Sequence, residues 1–171
     1  MPPEQGGARA QSVRTEARFY YCMIALIQRV TQASVRVDGR NIAAIEHGLL
    51  ALIGIVRDDS QASAERLLRR LLDYRVFADG NGRMGLCLRE LRGGGLLLVP
   101  QFTLAADTAR GNRASFSPAA EPALAERLFD HLLSRARATH EPVAAGQFGA
   151  HMQVSLVNDG PVTFWLQSST G

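Results

Sequence analysis

The side chains that most often catalyse hydrolysis are present in this chain, but they do not form the usual motifs. No serine has the flanking glycines of a nucleophile elbow, and the run 93–95 lacks the Gly-Lys-Ser/Thr ending of a phosphate loop. The histidines have no metal-ligand spacing, which favours ordinary surface or packing roles; they are His47, His131, His140 and His151. The sequence therefore offers no common nucleophile, P-loop or histidine-metal signature.

The polar group with the best position is Gln101-Phe102-Thr103. It follows Leu96–Val99, a short apolar run that predicts a buried strand, at the point where the chain leaves the sheet. Layered α/β folds bind ligands at such strand ends. Two interpretations remain open at this stage: Gln101 and Thr103 are functional, or the threonine only satisfies backbone groups at the strand end.

A second candidate segment is 158–163, with the sequence Asn-Asp-Gly-Pro-Val-Thr. It lies between the apolar runs 152–157 and 164–166, and residues of these types usually end strands. The sequence therefore predicts a turn. Gly160 adds backbone freedom and Pro161 removes it, so one peptide is held in a fixed, exposed orientation. The alternative is a plain turn without function.

Strands and two helices are predicted to position these segments. Alternating or continuous apolar runs predict the strands, at Met23–Val30, Ala33–Val37, Asn41–Ile45, Gly48–Val56, Tyr74–Phe77, Leu86–Leu91, Leu96–Val99 and on both sides of the segment 158–163. Helical spacing of apolar residues predicts one helix from about residue 61, with Asp58 and Gln61 as a capping box, and a second from Glu121-Pro122. This pattern indicates a layered α/β or α+β domain.

Length and composition indicate one ordinary globular domain in a chain of 171 residues. The net charge is +3, and all 19 basic residues are arginine, which suits phosphate recognition but also fits a coding bias towards arginine. Two isolated cysteines, Cys22 and Cys87, indicate a reducing cytosol rather than a disulfide framework or metal site. No run approaches the roughly 20 apolar residues of a membrane span.

The N-terminal residues differ in composition from the rest. Residues 1–22 are rich in Gly, Pro, Gln and Arg, and they are predicted to form a disordered extension, with Met23 a natural start for the folded domain. An upstream start codon is an alternative origin for the extension. A secretory signal is not favoured, because no small-x-small cleavage site follows the apolar run 19–27. The predicted domain covers residues 23–168, with a tail at 169–171.

The motifs together resemble one family, the D-aminoacyl-tRNA deacylases. The resemblance rests on Gln101-Phe102-Thr103-Leu104, Gly111-Asn112-Arg113, Phe148-Gly149-Ala150-x-Met152 and Asn158-x-Gly160-Pro161-Val162-Thr163, in the family's order, with Ile27-Gln28-Arg29-Val30 near the start. It covers roughly residues 23–167. It implies mixed, barrel-like layered sheets covered by two main helices.

The resemblance also implies an activity and partners. The expected enzyme is a cytoplasmic homodimer that hydrolyses the ester joining a D-amino acid, or glycine, to the 3′ end of tRNA. No metal or organic cofactor, DNA or membrane is expected. The tRNA is expected to be bound electrostatically by Arg110, Arg113 and Arg83.

The resemblance also implies roles for individual residues, at the positions that match the family's motifs. A cis Gly160–Pro161 peptide would enter the partner's site, where its carbonyls hold the α-amino group and exclude an L side chain. Asn158, Val162 and Arg29 belong to the same substrate-binding set, and Ala150 and Met152 match pocket-wall positions.

The catalytic set is expected to be Gln101, Phe102 and Thr103. The Phe102 backbone N–H is a natural oxyanion donor. No neighbouring His or carboxylate in the sequence can activate Thr103, so we expect it only to orient the substrate while a ribose hydroxyl or water takes part.

One departure from the family's pattern leaves alternative functions open. The family usually has Ser where this chain has Pro100, which offers neither a hydroxyl nor an N–H. The chain could therefore be a catalytically weakened relative that still binds tRNA. Another alternative is a hydrolase of other small D-amino-acid esters.

Overall fold

The computed structural model describes residues 22–168, so the predicted extension (apart from Cys22) and the predicted tail at 169–171 lie outside the described residues. The regular elements follow in chain order: β1 Ile24–Val37, β2 Arg40–Ile45, β3 Gly48–Gly54, α1 Gln61–Asp73, β4 Phe77–Ala78, β5 Met84–Leu86, β6 Gly95–Pro100, α2 Pro122–Thr139, β7 Val143–Ala145 and β8 Gln153–Gln167. Short 3-10 turns occupy Leu88–Glu90 and Phe102–Ala105.

The main sheet is mixed, as predicted. Its strands follow the order β2-β1-β3-β6-β7, and β8 pairs with β1. The pairs β3/β6 and β6/β7 are parallel, whereas β1 pairs antiparallel with β2, β3 and β8. Strands β4 and β5 form a separate two-stranded sheet. The predicted α/β fold, with a layered, mixed sheet and two main helices, is confirmed.

Both faces of the sheet are buried, because its central strands are apolar at nearly every position. In β3, Leu49, Ala51 and Ile53 pack towards the two helices, while Leu50 joins a second cluster on the other face. Every residue of β3 except Leu52 is buried, which confirms the predicted strand buried on both faces. The two clusters hold β6 and β8 in the positions from which the candidate segments project.

The predicted turn at 158–163 is wrong: these residues lie inside one strand, β8. Val30 of β1 pairs with Asn158, and Gln28 pairs with Thr163, so four residues of β8 stand opposite the single residue Arg29. Because both flanking runs pair with β1 in the same direction, the chain does not reverse. The segment Asp159–Val162 is therefore a wide bulge, called the β8 bulge below.

Several predicted boundaries also need correction. The first two predicted strands are one strand, β1, and β7 was not predicted. Only Phe77 of the predicted strand Tyr74–Phe77 is in β4. Half of the predicted strand Leu86–Leu91 is the 3-10 turn Leu88–Glu90, because the Glu90 carboxylate accepts hydrogen bonds from Cys87 N (2.9 Å) and Arg75 (3.0 Å).

The predicted capping box at Asp58 and Gln61 is wrong as well. Ser60 caps α1 and exchanges hydrogen bonds with Ser63, which is the reciprocal arrangement of a capping box. Asp59 contributes in another way, because its two carboxylate oxygens accept hydrogen bonds from Met23 N and Val56 N, both 2.8 Å. It thereby ties the start of β1 to the end of the β3 segment.

Neither helix within residues 22–168 is long and apolar enough to cross a membrane.

Candidate active site

The segment Gln101–Thr103 leaves the sheet at the carboxyl end of β6. Pro100 pairs with Ile53, and the next residue, Gln101, donates its N–H to Ile53 O at 2.7 Å. The ladder thus continues past the proline, whose missing N–H does not break the register. Gln101 has φ −144° and ψ 83°, which is not helical, and a 3-10 turn begins at Phe102.

Phe102 is the first residue of that turn. Its backbone N–H therefore has no acceptor within the turn and can face a ligand. Its side chain is 61% exposed, and the ring centroid lies 5.2 Å from that of Phe116, which is also exposed. Phe116 was not singled out from the sequence, where it lies in a polar loop with no apolar period.

The Thr103 hydroxyl accepts a hydrogen bond from Gln101 Nε2 at 2.5 Å. An amide N–H can only donate, so Gln101 cannot take a proton from this hydroxyl in that orientation. Within residues 22–168, no histidine or carboxylate is hydrogen-bonded to Thr103. This geometry lacks the base that an activated nucleophile needs.

Met152 lies beside the same end of β6, and Ala150 lies in the turn just before it. Gly146 N donates to Leu98 O at 2.8 Å, which brings this stretch onto the strand. The Met152 sulfur lies close enough that a Cβ at Gly146 would meet it at 2.8 Å and Pro100 Cδ at 3.4 Å. Ala150 N closes a tight turn by donating to Gln147 O at 3.3 Å. The structure thus places Met152 near the Gln101 segment.

The β8 bulge carries the other candidate residues. Gly160 has φ +146°, the Gly160–Pro161 peptide bond is cis, and both residues are exposed. A Cβ on Gly160 would lie 2.6 Å from Val162 Cγ2 and 2.8 Å from Val162 N, closer than real contacts allow. A side chain at this position is therefore excluded by both backbone conformation and space.

Arg29 holds the first half of the bulge. Its Nε donates to Asp159 O at 2.9 Å and lies 3.2 Å from the Asp159 carboxylate, while Nη1 donates to Val76 O at 2.6 Å. The Arg29 side chain is only 15% exposed. This single guanidinium links the β8 bulge to the segment after α1, a connection that the sequence did not reveal because Val76 carries no polar side chain.

Asn158 and Thr163 close the bulge at its base. Val162 N donates to Asn158 Oδ1 at 2.8 Å, and Asn158 Nδ2 donates to Thr163 Oγ1 at 2.9 Å. Thr163 Oγ1 also accepts from Gln28 Nε2 at 3.4 Å. Both polar ends of Asn158 are therefore used within the chain, which differs from the direct substrate contact expected for it.

The three arginines assigned to tRNA are exposed but lie in two different places. Arg83 is in the turn between β4 and β5, and Arg110 and Arg113 are in the loop before α2, where Asp107 and Ser115 exchange backbone hydrogen bonds of 2.8 and 2.9 Å. Within residues 22–168, none of the three forms an ion pair.

Three of the four histidines contact other residues of the chain. The His47 ring packs edge-on against Phe77 (5.4 Å between centroids), and His140 Nε2 lies 2.7 Å from Gly94 O. His131 Nε2 lies 3.2 Å from the Glu65 carboxylate. No group of three or more His, Cys, Asp or Glu side chains in the described part of the chain could hold a metal ion.

The side chains with a shifted pKa lie outside the two candidate segments. Burial raises the pKa of the Asp59 carboxyl, opposed by its hydrogen bonds from Val56 and Met23. Burial also raises the pKa of the Cys22 thiol. The hydrogen bond from the Cys87 backbone lowers the pKa of the Glu90 carboxyl.

The two candidate segments are far apart in one chain. Arg29, opposite the bulge, is level with Leu49, whereas Gln101 follows the residue paired with Ile53, four residues further along β3. Four residues span about 13 Å, and the three spacings from β8 through β1 and β3 to β6 span about 14 Å, so the path along the sheet is about 20 Å. A four-residue bulge reaches out by about 7 Å at most, which is shorter than this path along the sheet.

Comparisons with known proteins agree on one family. The family model described as D-Tyr-tRNA(Tyr) deacylase matches residues 26–167. The D-aminoacyl-tRNA deacylase of Thioalkalivibrio sulfidiphilus is 66% identical over 145 residues, which are 85% of this chain and 97% of the relative. The enzyme of the same name from Ralstonia nicotianae is 60% identical over 149 residues, covering 85% of this chain and 90% of the relative.

Two solved structures are also similar. The c-Myc DNA unwinding element binding protein superposes with a TM-score of 0.81 at 39% identity, covering 86% of this chain and 99% of that protein. A probable eukaryotic D-amino acid tRNA deacylase has a TM-score of 0.75 at 16% identity, covering 85% of this chain and 99% of that protein. At that identity the second likeness supports the fold alone.

Proposed function

The chain belongs to the D-Tyr-tRNA(Tyr) deacylase family and is a D-aminoacyl-tRNA deacylase, a hydrolase, and from this premise we propose how it recognises and cleaves its substrate. The proposed enzyme is a cytoplasmic homodimer. It hydrolyses the ester between a D-amino acid, or glycine, and the 3′ end of tRNA. Free amino acid and tRNA are the products, and no metal or organic cofactor is needed.

The observation that carries the cross-subunit part is the separation of the two candidate segments. Both are exposed, yet about 20 Å of sheet lies between them in one chain. A dimer in which the β8 bulge of one subunit enters the Gln101 end of its partner would assemble one site from both. Each dimer then has two such sites.

Selection in this proposal is done by the main chain. The carbonyls of Gly160 and Pro161 accept hydrogen bonds from the substrate's α-amino group. With the amino group and the ester carbon both held, the Cα–H and the side chain have only two places to go. One arrangement leaves room for a D side chain, and the mirror arrangement would drive an L side chain into the bulge. Glycine, which has no side chain, fits either way.

The hydrolysis needs little side-chain equipment, because an aminoacyl ester is already reactive. A water molecule attacks the ester carbonyl carbon, and the Phe102 N–H stabilises the negative charge that develops on the carbonyl oxygen. The bond to the ribose oxygen then breaks, and that oxygen takes up the proton that the attacking water loses. Thr103, held by Gln101, orients the ester. The neighbouring ribose hydroxyl of the tRNA can assist the water.

Binding of the tRNA itself is assigned to Arg110, Arg113 and Arg83. These side chains are exposed and lack ion-pair partners in the described part of the chain, so they are available to phosphate groups. Contacts of this kind position the tRNA without reading its sequence, and they weaken as salt is added. Ala150 and Met152 form part of the pocket wall.

The alternative is a relative that binds aminoacyl-tRNA but hydrolyses its ester slowly. Pro100 favours this alternative because the family's hydroxyl is missing there. Against it, the Gln101 N–H keeps the strand ladder in register beyond the proline, so the backbone of the catalytic segment is held. The difference between the two candidates is therefore a matter of rate.

The test is release of D-tyrosine and of L-tyrosine from charged tRNA by the purified full-length protein. D-specific release supports the main proposal, and its absence, with tRNA binding retained, supports the weakened relative. Equal release of both enantiomers would show that the β8 bulge does not select between them. Release of D-tyrosine from a simple alkyl ester at the same rate as from tRNA would instead indicate a general D-amino-acid esterase.

A further inference from the structure

The β8 bulge cannot be held by strand pairing alone. Four residues, Asp159–Val162, stand opposite the single residue Arg29 of β1, so the regular ladder provides for only one of them. A main-chain selector must nevertheless be fixed to within about half an ångström to discriminate between enantiomers. Side chains must therefore supply the missing constraints.

The contacts divide between the two ends of the bulge. At its first residue, Arg29 binds the Asp159 carbonyl. At its last residue, the amide of Asn158 accepts the Val162 N–H and, with its other end, donates to the Thr163 hydroxyl. A backbone N–H can only donate, so the Val162 contact fixes which end of the Asn158 amide faces it.

The Thr163 hydroxyl connects the base of the β8 bulge to the rest of the sheet. It accepts from Asn158 Nδ2 and from Gln28 Nε2, and Thr163 is paired directly with Gln28 on β1. The contacts therefore run without a gap from β1 through Thr163 and Asn158 to Val162. Because Asn158 precedes the bulge and Thr163 follows it, their contact closes the loop that presents Gly160 and Pro161.

We propose that Asn158 and Thr163 are positioning residues that set the D-over-L selectivity by closing the base of the β8 bulge, without touching the substrate. This inference rests on the proposed function of the bulge. It moves Asn158 from the substrate-binding set to the positioning set, since both ends of its amide are occupied. It adds Thr163, whose exposed hydroxyl has no other role in the proposed reaction.

The variants for the test follow from the contacts. Asn158→Leu keeps the size of the side chain and removes both amide contacts. Thr163→Val keeps the β-branched shape and removes only the hydroxyl, and Thr163→Ser restores the hydroxyl. Gln153→Ala is the matched control, because Gln153 is exposed on the same strand and has no side-chain hydrogen bond within the described residues.

The measured quantity is the ratio of the D-tyrosine to the L-tyrosine release rate from charged tRNA, with the melting temperature recorded in parallel. We expect the ratio to fall at least tenfold in Asn158→Leu and several-fold in Thr163→Val, and to stay within twofold of the wild type in Thr163→Ser and Gln153→Ala. If Asn158→Leu does not fold, the comparison of Thr163→Val with Thr163→Ser tests the proposal on its own.

The outcomes separate the positioning role from the proposed function on which it rests. A wild-type protein without D-specific release would defeat the proposed function itself. A D-specific wild type whose ratio is unchanged in both Asn158→Leu and Thr163→Val would overturn the positioning role alone, and a lower melting temperature with an unchanged ratio would count the same way.

Discussion

A main-chain N–H used in catalysis cannot be removed by changing the side chain, except by proline. Phe102 allows this test, because a proline is accepted at the first position of a helical turn and Gln101 before it is not helical. Phe102→Ala removes the exposed ring but keeps the N–H. The pair of variants therefore separates the oxyanion donor from the aromatic ring.

We expect Phe102→Pro to lower kcat for D-tyrosyl-tRNA by roughly 10²–10³, the usual cost of losing one oxyanion donor. Phe102→Ala should keep most of kcat and change mainly KM. Single-turnover release rates measure both, with circular dichroism as the check on folding. Equal kcat values for the two variants would show that the N–H is not used.

A second residue prediction concerns stability, through Asp59. This buried carboxylate accepts hydrogen bonds from two backbone N–H groups, Met23 N and Val56 N. An asparagine has one acceptor oxygen, so Asp59→Asn leaves one buried N–H unpaired and should lower the free energy of unfolding by about 1–3 kcal/mol.

The pH dependence of that loss has a definite sign. Burial raises the pKa of Asp59 in the folded protein above the ordinary value, so the folded state holds the proton more tightly than the unfolded chain. Stability from this group is then fully present below the unfolded pKa of about 4 and declines as pH rises through the folded pKa. Urea unfolding from pH 4 to pH 7 should show the advantage of wild type over Asp59→Asn shrinking; a growing advantage would contradict the raised pKa.

At the scale of elements, the bulge shows where sequence patterns stop being informative. Asn, Asp, Gly and Pro at 158–161 predicted a turn between two strands, whereas β8 continues through them with a bulge. A turn and a bulge differ only in whether the two flanking runs pair with the same neighbour. That is a tertiary property, decided here by β1, whose 14 residues are long enough to pair with both runs.

The sheet and helices were easier to predict, for a physical reason. The runs Gly48–Gly54 and Gly95–Pro100 are apolar throughout, so burial on both faces was their only stable state. The short elements were missed or misplaced, because single contacts decide them: the carboxylate of Glu90 turns the predicted strand after Leu86 into a 3-10 turn. Partners such as Val76, whose carbonyl binds Arg29, leave no trace in the sequence pattern.

The bulge can be removed as an element without disturbing the strand. Replacing Asp159–Val162 by one alanine would place a single residue opposite Arg29 and restore a regular register between Val30/Asn158 and Gln28/Thr163. We expect the shortened protein to fold with a melting temperature near that of the wild type and to lose D-tyrosine release by at least a hundredfold. Near-normal release of D-tyrosine from a folded variant would show that the bulge is not part of the active site.

At the scale of the whole molecule, the proposed mechanism requires a dimer because of the distance between the two candidate segments. A single chain holds the Phe102 N–H and the Gly160–Pro161 carbonyls about 20 Å apart along its sheet. The arrangement predicts that each site takes its catalytic backbone from one subunit and its selector from the other. Such a site can be rebuilt from two different damaged subunits.

Gly160→Ala and Phe102→Pro are the two damaged subunits. The first fails because its Cβ would meet Val162 N at 2.8 Å in a backbone conformation that L residues rarely adopt, and the second because it lacks the donor. Gly39→Ala is a control for the first: it has φ +75° but open space around it, so it tests strain without the contact. Each damaged homodimer should release D-tyrosine at less than about a hundredth of the wild-type rate, in line with the loss of one transition-state contact.

In a mixed dimer, one site combines the intact Phe102 of one subunit with the intact Gly160 of the other, and the second site has both defects. Co-expression with two different affinity tags, followed by purification on both, should therefore recover about half of the wild-type activity per dimer, since one of its two sites is rebuilt. Sites contained within single subunits would each keep one defect, and the mixed dimer would then be as inactive as its parents. Recovery of D-tyrosine release is thus the measurement that distinguishes a shared site from a self-contained one.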